Sequence, residues 1–180
     1  LIVAGVDSSK YFDRVPRDEV LVPLLRAWGM DPGVLDAYAR FSSGLRRAFV
    51  VRGAMGEGWK ALTGVYQGDP FSMHMTCALM TILILDIRRR SGGRVAVWNF
   101  ADDTEVGAEE TSPEHDPQED LRDAAKRVVR FAVLTAQRAR GDKSFVGAHN
   151  AADREALRAR PLALGEEPED QVPLTADHRV

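Results

Sequence analysis

Two adjacent carboxylates, Asp102 and Asp103, stand between two runs with the length and composition of β-strands, residues 95–100 and 104–108. The pattern predicts a β-hairpin with both carboxylates at its tip. Such a pair could hold a divalent cation, since Mg²⁺ prefers carboxylate oxygens. Aspartate is also common in tight turns, because its side chain bonds the nearby backbone. Taken alone the pair favours an ordinary turn, so the rest of the chain must decide.

A third carboxylate, Asp7, follows a continuous apolar run at residues 1–6. That run predicts a buried central strand that ends at Asp7. A carboxylate just past such a strand lies at the edge of the sheet, where ligands commonly bind. The simpler alternative is that Asp7 only caps the helix that follows it.

The elements that would position these carboxylates are a mixture of helices and strands. The longest apolar segment, residues 70–90, predicts a helix that is buried on nearly all sides. Further helices are expected at 18–28, with Asp18 as N-cap, at 32–41 and at 117–140, and further strands at 45–51, 59–65 and 145–148. This order predicts an α+β fold in which helices back an antiparallel sheet. Residues 151–180 are polar, and we expect a short helix at 151–160 followed by a weakly ordered tail.

Composition narrows the class of protein. The single cysteine, Cys77, excludes a disulfide framework and a CxxC zinc site and is typical of a reducing compartment. Residues 1–100 carry 13 Lys and Arg against 9 Asp and Glu, whereas residues 101–180 carry 11 against 18. The acidic balance argues weakly against nucleic-acid binding. The longest uncharged apolar stretch, 71–85, is too short to cross a bilayer comfortably, and no signal peptide is visible.

Three motifs occur in order along the chain: VDSSKYFDRV at 6–15, GVYQGDPFS at 64–72 and FADD at 100–103. Together they resemble the palm of reverse transcriptases, especially those of non-LTR retrotransposons and group II introns. A weaker fourth match, GDKS at 141–144, is similar to the family's N-x-x-K-S/T segment. The resemblance covers residues 1–148. It implies that residues 1–150 are a partial palm domain and that residues 151–180 are a polar tail.

The resemblance implies an RNA-directed DNA polymerase, which joins a dNMP to a primer 3′-hydroxyl. Two Mg²⁺ ions, or Mn²⁺ in their place, would neutralise charge on the reacting oxygens and on the leaving pyrophosphate. Asp7 and Asp102 would bridge the ions from adjacent strands, and Asp103 would support the first ion or the primer terminus. Because a polymerase gathers carboxylates to hold metals, the acidic composition argues less strongly against a protein that binds nucleic acid.

The first motif also supplies nucleotide contacts in this family. The backbone N–H groups from Ser8 to Tyr11 would hold triphosphate oxygens, as successive amides in turns often do. Phe12 matches the family's steric gate, whose ring would collide with a ribose 2′-hydroxyl and so favour deoxynucleotides. The competing interpretation is that Phe12 simply packs in the core.

Two later segments match further nucleotide contacts. The amide of Gln67 can bond the sugar, and Gly68 lets the backbone approach the nascent base pair closely. Lys143 matches a lysine that approaches the pyrophosphate as a cation or a proton donor. The family's asparagine three residues earlier is Arg140 here, so a merely solvated lysine stays an alternative.

In the family, fingers and thumb regions flank the palm, and neither is found in these 180 residues. We therefore expect a fragment of a longer protein that polymerises poorly alone and needs those regions to hold an RNA template, a DNA primer and a dNTP. The location implied is intracellular, nuclear for a eukaryotic retrotransposon and cytoplasmic otherwise, without a membrane partner.

Two alternatives remain open. An RNA-directed RNA polymerase usually shows GDD and a serine-glycine pair, which this chain lacks. A non-catalytic retroelement remnant that binds RNA is the second. Tyr11 and Tyr66 leave room for it, because the family often has a small residue and a proline at these positions.

Overall fold

The computed structural model describes residues 1–9, 11–66, 68–100, 103–109, 114–165 and 170–175. Its strands are β1 (Ile2–Ser9), β2 (Val50–Val51), β3 (Ala54–Met55), β4 (Val95–Phe100), β5 (Asp103–Ala108) and β6 (Arg138–Ala148). Its helices are α1 (Tyr11–Arg14), α2 (Val22–Ala27), α3 (Pro32–Gly44), α4 (Pro70–Arg90), α5 (Pro117–Leu134) and α6 (Ala151–Ala159), and a π-helical turn (Arg17–Leu21) precedes α2.

The four longer strands form one antiparallel sheet in the order β4–β5–β1–β6. β4 and β5 form the predicted hairpin, in which Phe100 pairs with Asp103. The predicted α+β class, with an antiparallel sheet backed by helices, is confirmed. β1 nevertheless continues to Ser9, where the sequence predicted its end at Asp7, because the first residues of β6 pair with its last two.

One face of the sheet is packed against α4 and α5 and contains the core. Alternate residues of each strand point to this face, and the buried ones include Ala4, Val6, Val97, Val106 and Val146. A fully buried valine side chain stabilises the fold by about 1.5–3 kcal/mol. The stability of the sheet therefore derives largely from this one face, and the opposite face does not take part in this packing.

α4 begins at a local cap. The Asp69 side chain accepts a hydrogen bond from the Phe71 N–H at 2.9 Å, and Pro70 occupies the first turn. The helix is buried on one side only, not on nearly all sides as predicted, because the sheet and α5 cover only that side. Its other side exposes three large apolar residues, Met73, Ile82 and Leu85. α4 is long and apolar enough to cross a membrane, but the core helix of a soluble protein can have the same length and composition. Of its most apolar 18-residue stretch, 39% is buried inside the fold.

The boundary between α5 and β6 differs from the prediction. The sequence predicted a helix to residue 140, but α5 ends at Leu134 and β6 begins at Arg138. Ala136 has a positive φ of 56°, a conformation that cannot continue a right-handed helix. The strand predicted at 145–148 therefore extends back to Arg138 and pairs along most of β1.

The region between β1 and α4 also differs from the prediction. Asp18 lies inside the π-helical turn and pairs with Arg17 at 2.8 Å instead of capping a helix. The strands predicted at 45–51 and 59–65 are reduced to β2, β3 and one bridge between Arg47 and Trp59. The Val65 N–H donates to the Phe12 carbonyl oxygen of α1 and not to a neighbouring strand.

The C-terminal segment packs onto the same core. Leu157 of α6, together with Leu162, Leu164 and Val172, is buried. The Val172 N–H donates to the Leu162 carbonyl oxygen at 2.9 Å, which ties the two parts of the segment together. This burial was not predicted, because the apolar side chains of the segment are too widely spaced to form a visible pattern in the sequence.

An ion pair between the start of β4 and α5 gives the fold a pH dependence. The Arg94 guanidinium donates to both carboxylate oxygens of Asp120, at 2.8 and 2.9 Å, and holds the pKa of Asp120 below its usual range. Ionised Asp120 therefore stabilises the folded state above its unfolded pKa of about 3.9, and this contribution is lost as the pH falls further.

We expect Asp120→Asn to lower the Tm at pH 7, and the difference from the unmodified chain to shrink below about pH 4. Thermal unfolding followed by circular dichroism across this pH range measures it. Asp123→Asn is the matched control, since the Asp123 side chain is 68% exposed and its Lys126 partner is 3.8 Å away. A pH-independent difference for Asp120→Asn would contradict the electrostatic explanation.

Candidate active site

Two of the three predicted carboxylates lie on neighbouring strands. Val6 of β1 and Thr104 of β5 form the last pair of their antiparallel ladder, and Asp7 and Asp103 are the next residues beyond it on the two strands. Both line one open cavity of about 190 Å³. Asp7 is half-buried and Asp103 is exposed. Two carboxylates that are distant in sequence are thus brought to one small cavity.

Lys143 lines the same cavity from the other side of β1. The register of β1 against β6 shifts between Gly5 and Asp7, so residues 141–144 of β6 form a bulge. Bulges redirect side chains at sheet edges, and this one brings Lys143 to the carboxylates. The position of Lys143 in this cavity therefore agrees with the sequence match that selected it.

Ser144, which sequence reasoning did not select, fixes the bulge to β1. Its buried hydroxyl accepts a hydrogen bond from the Asp7 N–H at 3.2 Å and donates to the Arg140 carbonyl oxygen at 2.6 Å. Both bonds hold the backbone beside the Asp7 side chain. The serine in the GDKS segment was the available signal, but its contact with β1 depends on the strand register.

Asp102 and Gln67 lie outside the described residues. The approach of Asp102 to Asp7 therefore stays a prediction, as does the contact of Gln67 with a nucleotide sugar. Within the described part of the chain, no three His, Cys, Asp or Glu side chains form a group that could hold a metal ion. Asp7 and Asp103 are the described residues of the predicted metal site.

The second motif docks directly on the first. The Val65 N–H donates to the Phe12 carbonyl oxygen at 2.7 Å, and the Gly64 N–H donates to the Val15 carbonyl oxygen at 2.8 Å. Gly64 has φ +87°, and a Cβ there would lie 2.6 Å from the Asp13 carbonyl oxygen. Only glycine fits this combination of backbone conformation and close approach. The glycine that opens the second motif thus permits the contact between the two motifs.

The side chains of the first motif divide between core and surface. Tyr11 is 2% exposed and belongs to the core, and the predicted phosphate contact of its backbone N–H stays a prediction. Phe12 is half-buried against the core, with its ring edge-on to Tyr11 at 5.6 Å. The position of Phe12 is therefore compatible with both interpretations, core packing and a steric gate with a partly accessible ring. Ser8 is half-buried in β1, where it pairs with Ala139.

Arg47 adds a side-chain link between the two motifs. Its guanidinium lies 3.2 Å from the Asp13 carboxylate and 4.9 Å from the centre of the Tyr66 ring. Gly68, further along the second motif, is exposed and has φ +89°. An added Cβ would meet no described atom within 4 Å, so Gly68 is needed for its backbone conformation and not for packing in the described chain.

The sheet face opposite the core, called the open face below, bears flat rings beside the carboxylates. One row of paired residues crosses it, consisting of Trp98, Glu105, Gly5 and Phe145. The Phe145 ring covers Gly5, and the Trp98 ring covers the neighbouring Gly107, where an added Cβ would lie within 3 Å of either ring. Trp98 is 50% exposed and Phe100, beside Asp103, is 78% exposed. These aromatic residues and Glu105 were not selected from the sequence, because their alignment depends on the register of the strands.

No protein-family model matches this chain, and no curated protein matches it significantly.

Proposed function

We propose that this chain is the palm portion of an RNA-directed DNA polymerase of the non-LTR retrotransposon type, which adds dNMP units to a primer 3′-hydroxyl. The observation that carries the proposal is that Asp7 and Asp103, from the adjacent strands β1 and β5, line one cavity with Lys143. These residues come from three separate motifs of the sequence. Chance resemblance of the motifs gives no reason for them to meet at one place.

The residues present fit a site for two Mg²⁺ or Mn²⁺ ions, because carboxylates are the donors that these hard cations prefer. Asp7 and Asp103 would hold the ions together with Asp102, which precedes Asp103 in the sequence. When bound, the ions supply charge neutralisation for the attacking hydroxyl and the leaving pyrophosphate. Lys143 adds a positive charge at the opposite wall of the cavity and can stabilise or protonate a phosphate oxygen that becomes free.

The open face supports the proposed partners, an RNA template paired with a DNA primer. Its exposed rings, Trp98 and Phe100, offer flat surfaces on which bases can stack. Nucleic acid that lies on this face meets the carboxylates at the end of the hairpin. The fingers and thumb of a complete enzyme would hold the duplex from either side.

Primer extension tests the proposal. The chain, alone and joined to the sequence encoded on either side of it, is incubated with an RNA template, a DNA primer and either dNTPs or NTPs. We expect Mg²⁺-dependent use of dNTPs by the joined protein, and its loss in Asp102→Asn. Exclusive use of NTPs would favour an RNA-directed RNA polymerase, and Mg²⁺-independent RNA binding without synthesis would favour a non-catalytic remnant. Either result would overturn the proposal.

Phe12 gives a separate prediction about sugar discrimination. If its partly accessible ring lies beneath the sugar, Phe12→Ala should increase the use of NTPs relative to dNTPs by about 10–100-fold, since a hydroxyl is no longer rejected by collision. Competing incorporation of the two nucleotides measures the ratio. Phe41→Ala removes an exposed ring from α3 and should leave the ratio unchanged. An unchanged ratio in a folded Phe12→Ala protein would assign Phe12 to packing alone.

A further inference from the structure

A groove of about 330 Å³ lies between α4 and α5 and is called the helix groove below. The described side chains that line it are Ile82, Leu83, Asp86 and Arg90 of α4 and Arg127, Arg130, Phe131 and Leu134 of α5. None of these residues belongs to the sheet or to the sequence motifs. The helix groove is therefore a feature that the proposed function leaves unused.

The two helices run antiparallel along the groove. The Arg127 guanidinium donates to the Asp86 carboxylate at 3.1 Å, whereas Arg94, beyond the end of α4, bonds Asp120 near the start of α5. Later residues of α4 thus lie beside earlier residues of α5. Side chains four residues apart share one face of a helix. The groove therefore has a charged end at the Asp86–Arg127 pair and an apolar end about one helical turn away from it.

The apolar end of the groove consists of Ile82 of α4 and of Phe131 and Leu134 of α5. Leu83, which belongs to the core, lines the groove as well. Ile82 is 36% exposed and Leu134 is 69% exposed, so large apolar side chains remain in contact with water. Exposed apolar surface that is gathered in one place is typical of a site where a protein or a membrane binds. The apolar end therefore offers contacts to an apolar side chain that enters it.

The charges along the groove favour a ligand with carboxylates. Asp86 is shared between Arg127, at 3.1 Å, and Arg90, at 3.8 Å. Arg130 is exposed and makes no ion pair with any residue that the structure describes. Three guanidinium groups against one carboxylate leave a positive excess, although the chain as a whole has a net charge of −3. A carboxylate can bind a guanidinium through two parallel hydrogen bonds, so Arg130 is available to an acidic side chain.

Shape and charge together favour a peptide segment as the ligand. A groove between two helices accepts an amphipathic helix, whose apolar side chains enter the groove while its polar side stays in water. A flat membrane surface would reach Leu134 but not Leu83, which is only 2% exposed. A nucleic-acid backbone would gain nothing from the apolar end and would be repelled by Asp86. The complement of the groove is therefore a segment that carries both apolar and acidic side chains.

We propose that the helix groove binds an acidic amphipathic segment of a partner protein. The apolar side chains of the segment contact the apolar end of the groove, and its carboxylates pair with Arg130 and Arg90. Arg127 takes a supporting part, because it neutralises Asp86, which would otherwise repel the segment. The inference does not depend on the proposed function, since no motif residue and no metal ion takes part in the binding.

Fluorescence anisotropy of the full chain with three labelled helical peptides of equal length tests the binding. The first peptide has leucines on one face and glutamates on the other, the second has lysines in place of the glutamates, and the third has serines in place of the leucines. We expect the first to bind about tenfold more tightly than either of the others. Arg130→Glu and Leu134→Ser should each raise its Kd by about tenfold. Both side chains are exposed, so the variants should fold, which thermal unfolding verifies.

Two control variants match these substitutions outside the groove. Arg40→Glu reverses the charge of an exposed arginine on α3, and Leu62→Ser removes an apolar side chain that is 86% exposed. Both should leave the Kd of the first peptide within about twofold, since surface changes away from a contact have small effects. During the titration, the methyl signals of Ile82 and Leu134 should shift in ¹³C spectra.

Four results would overturn the inference. The first peptide could bind no more tightly than the second or the third, or the control variants could weaken it as much as the groove variants do. Sedimentation could reveal a dimer of the unmodified chain that Leu134→Ser dissociates, which would assign the groove to a second copy. Vesicles that contain phosphatidylserine could bind the chain and lose this binding in Leu134→Ser, which would assign the groove to a membrane surface.

Discussion

Asp7→Asn should reduce Mg²⁺-dependent dNMP addition by about 10³-fold. The carboxylate is proposed to hold metal ions whose charge stabilises the transition state by several kcal/mol, and each 1.36 kcal/mol is about tenfold in rate. Asparagine has nearly the same shape, and the hydrogen bond from residue 7 to Ser144 uses the backbone N–H. The fold should therefore survive while the ability to hold the ions is lost. Single-turnover primer extension measures the rate, and Mn²⁺ binding followed by electron paramagnetic resonance measures the affinity.

Glu105→Gln is the matched control for this prediction. Glu105 lines the same cavity and the substitution removes the same charge, but Glu105 belongs to none of the motifs. We expect its effect on the rate to stay within about fivefold, the size of an outer electrostatic contribution of about 1 kcal/mol. Equal losses for the two variants would show that the cavity needs negative potential in general and that Asp7 is not a metal ligand.

The local parts of the fold could be predicted from the sequence. The β4–β5 hairpin was identified because two short strand-like runs lie on either side of a turn. The start of α4 was also predicted, since Asp69 and Pro70 form a cap that depends on adjacent residues alone. Both features depend on contacts within a few residues, which composition and spacing reveal directly.

Elements that depend on distant contacts could not be predicted. Only residues 145–148 of β6 were predicted as a strand, because residues 138–144 of this edge strand carry several charged side chains and show no apolar run. Its first residues consequently looked like the end of α5. Leu162 and Val172 are buried by contacts with other parts of the chain, and nothing in their immediate neighbourhood indicates this.

The candidate site also combines features that depend on nearby residues with features that depend on distant contacts. The motifs predicted that Asp7 meets Asp102, with Asp103 as the third carboxylate; Asp103 lines one cavity with Asp7, and Asp102 lies outside the described residues. The roles of Ser144 and of the Gly5–Phe145 contact could not be predicted, since both follow from the register between β1 and β6. A one-residue slip in that register would turn each side chain to the opposite face.

The contact between the first two motifs leads to the second large prediction. Gly64→Ala should lower the free energy of unfolding by about 3 kcal/mol, because the new Cβ is strained both by the backbone conformation and by close contacts. The backbone at Gly64 has φ +87°, which side chains rarely adopt, and the Cβ would lie within 2.9 Å of backbone atoms of Phe12 and Asp13. Backbone atoms in a helix cannot rotate away as a side chain can. Urea denaturation followed by tryptophan fluorescence measures the change.

Gly53→Ala separates the two causes. Gly53, between β2 and β3, has a similar φ of +83°, but an added Cβ there meets no described atom within 4 Å. It should therefore show the conformational cost alone, about 1 kcal/mol. The difference between the two variants measures how firmly residues 64–66 are held against the end of α1. If Gly64→Ala lowers the free energy of unfolding by no more than Gly53→Ala does, the second motif can move away from the first. Phe12 and Gly68 would then not be held in fixed positions relative to each other, as their proposed nucleotide contacts require.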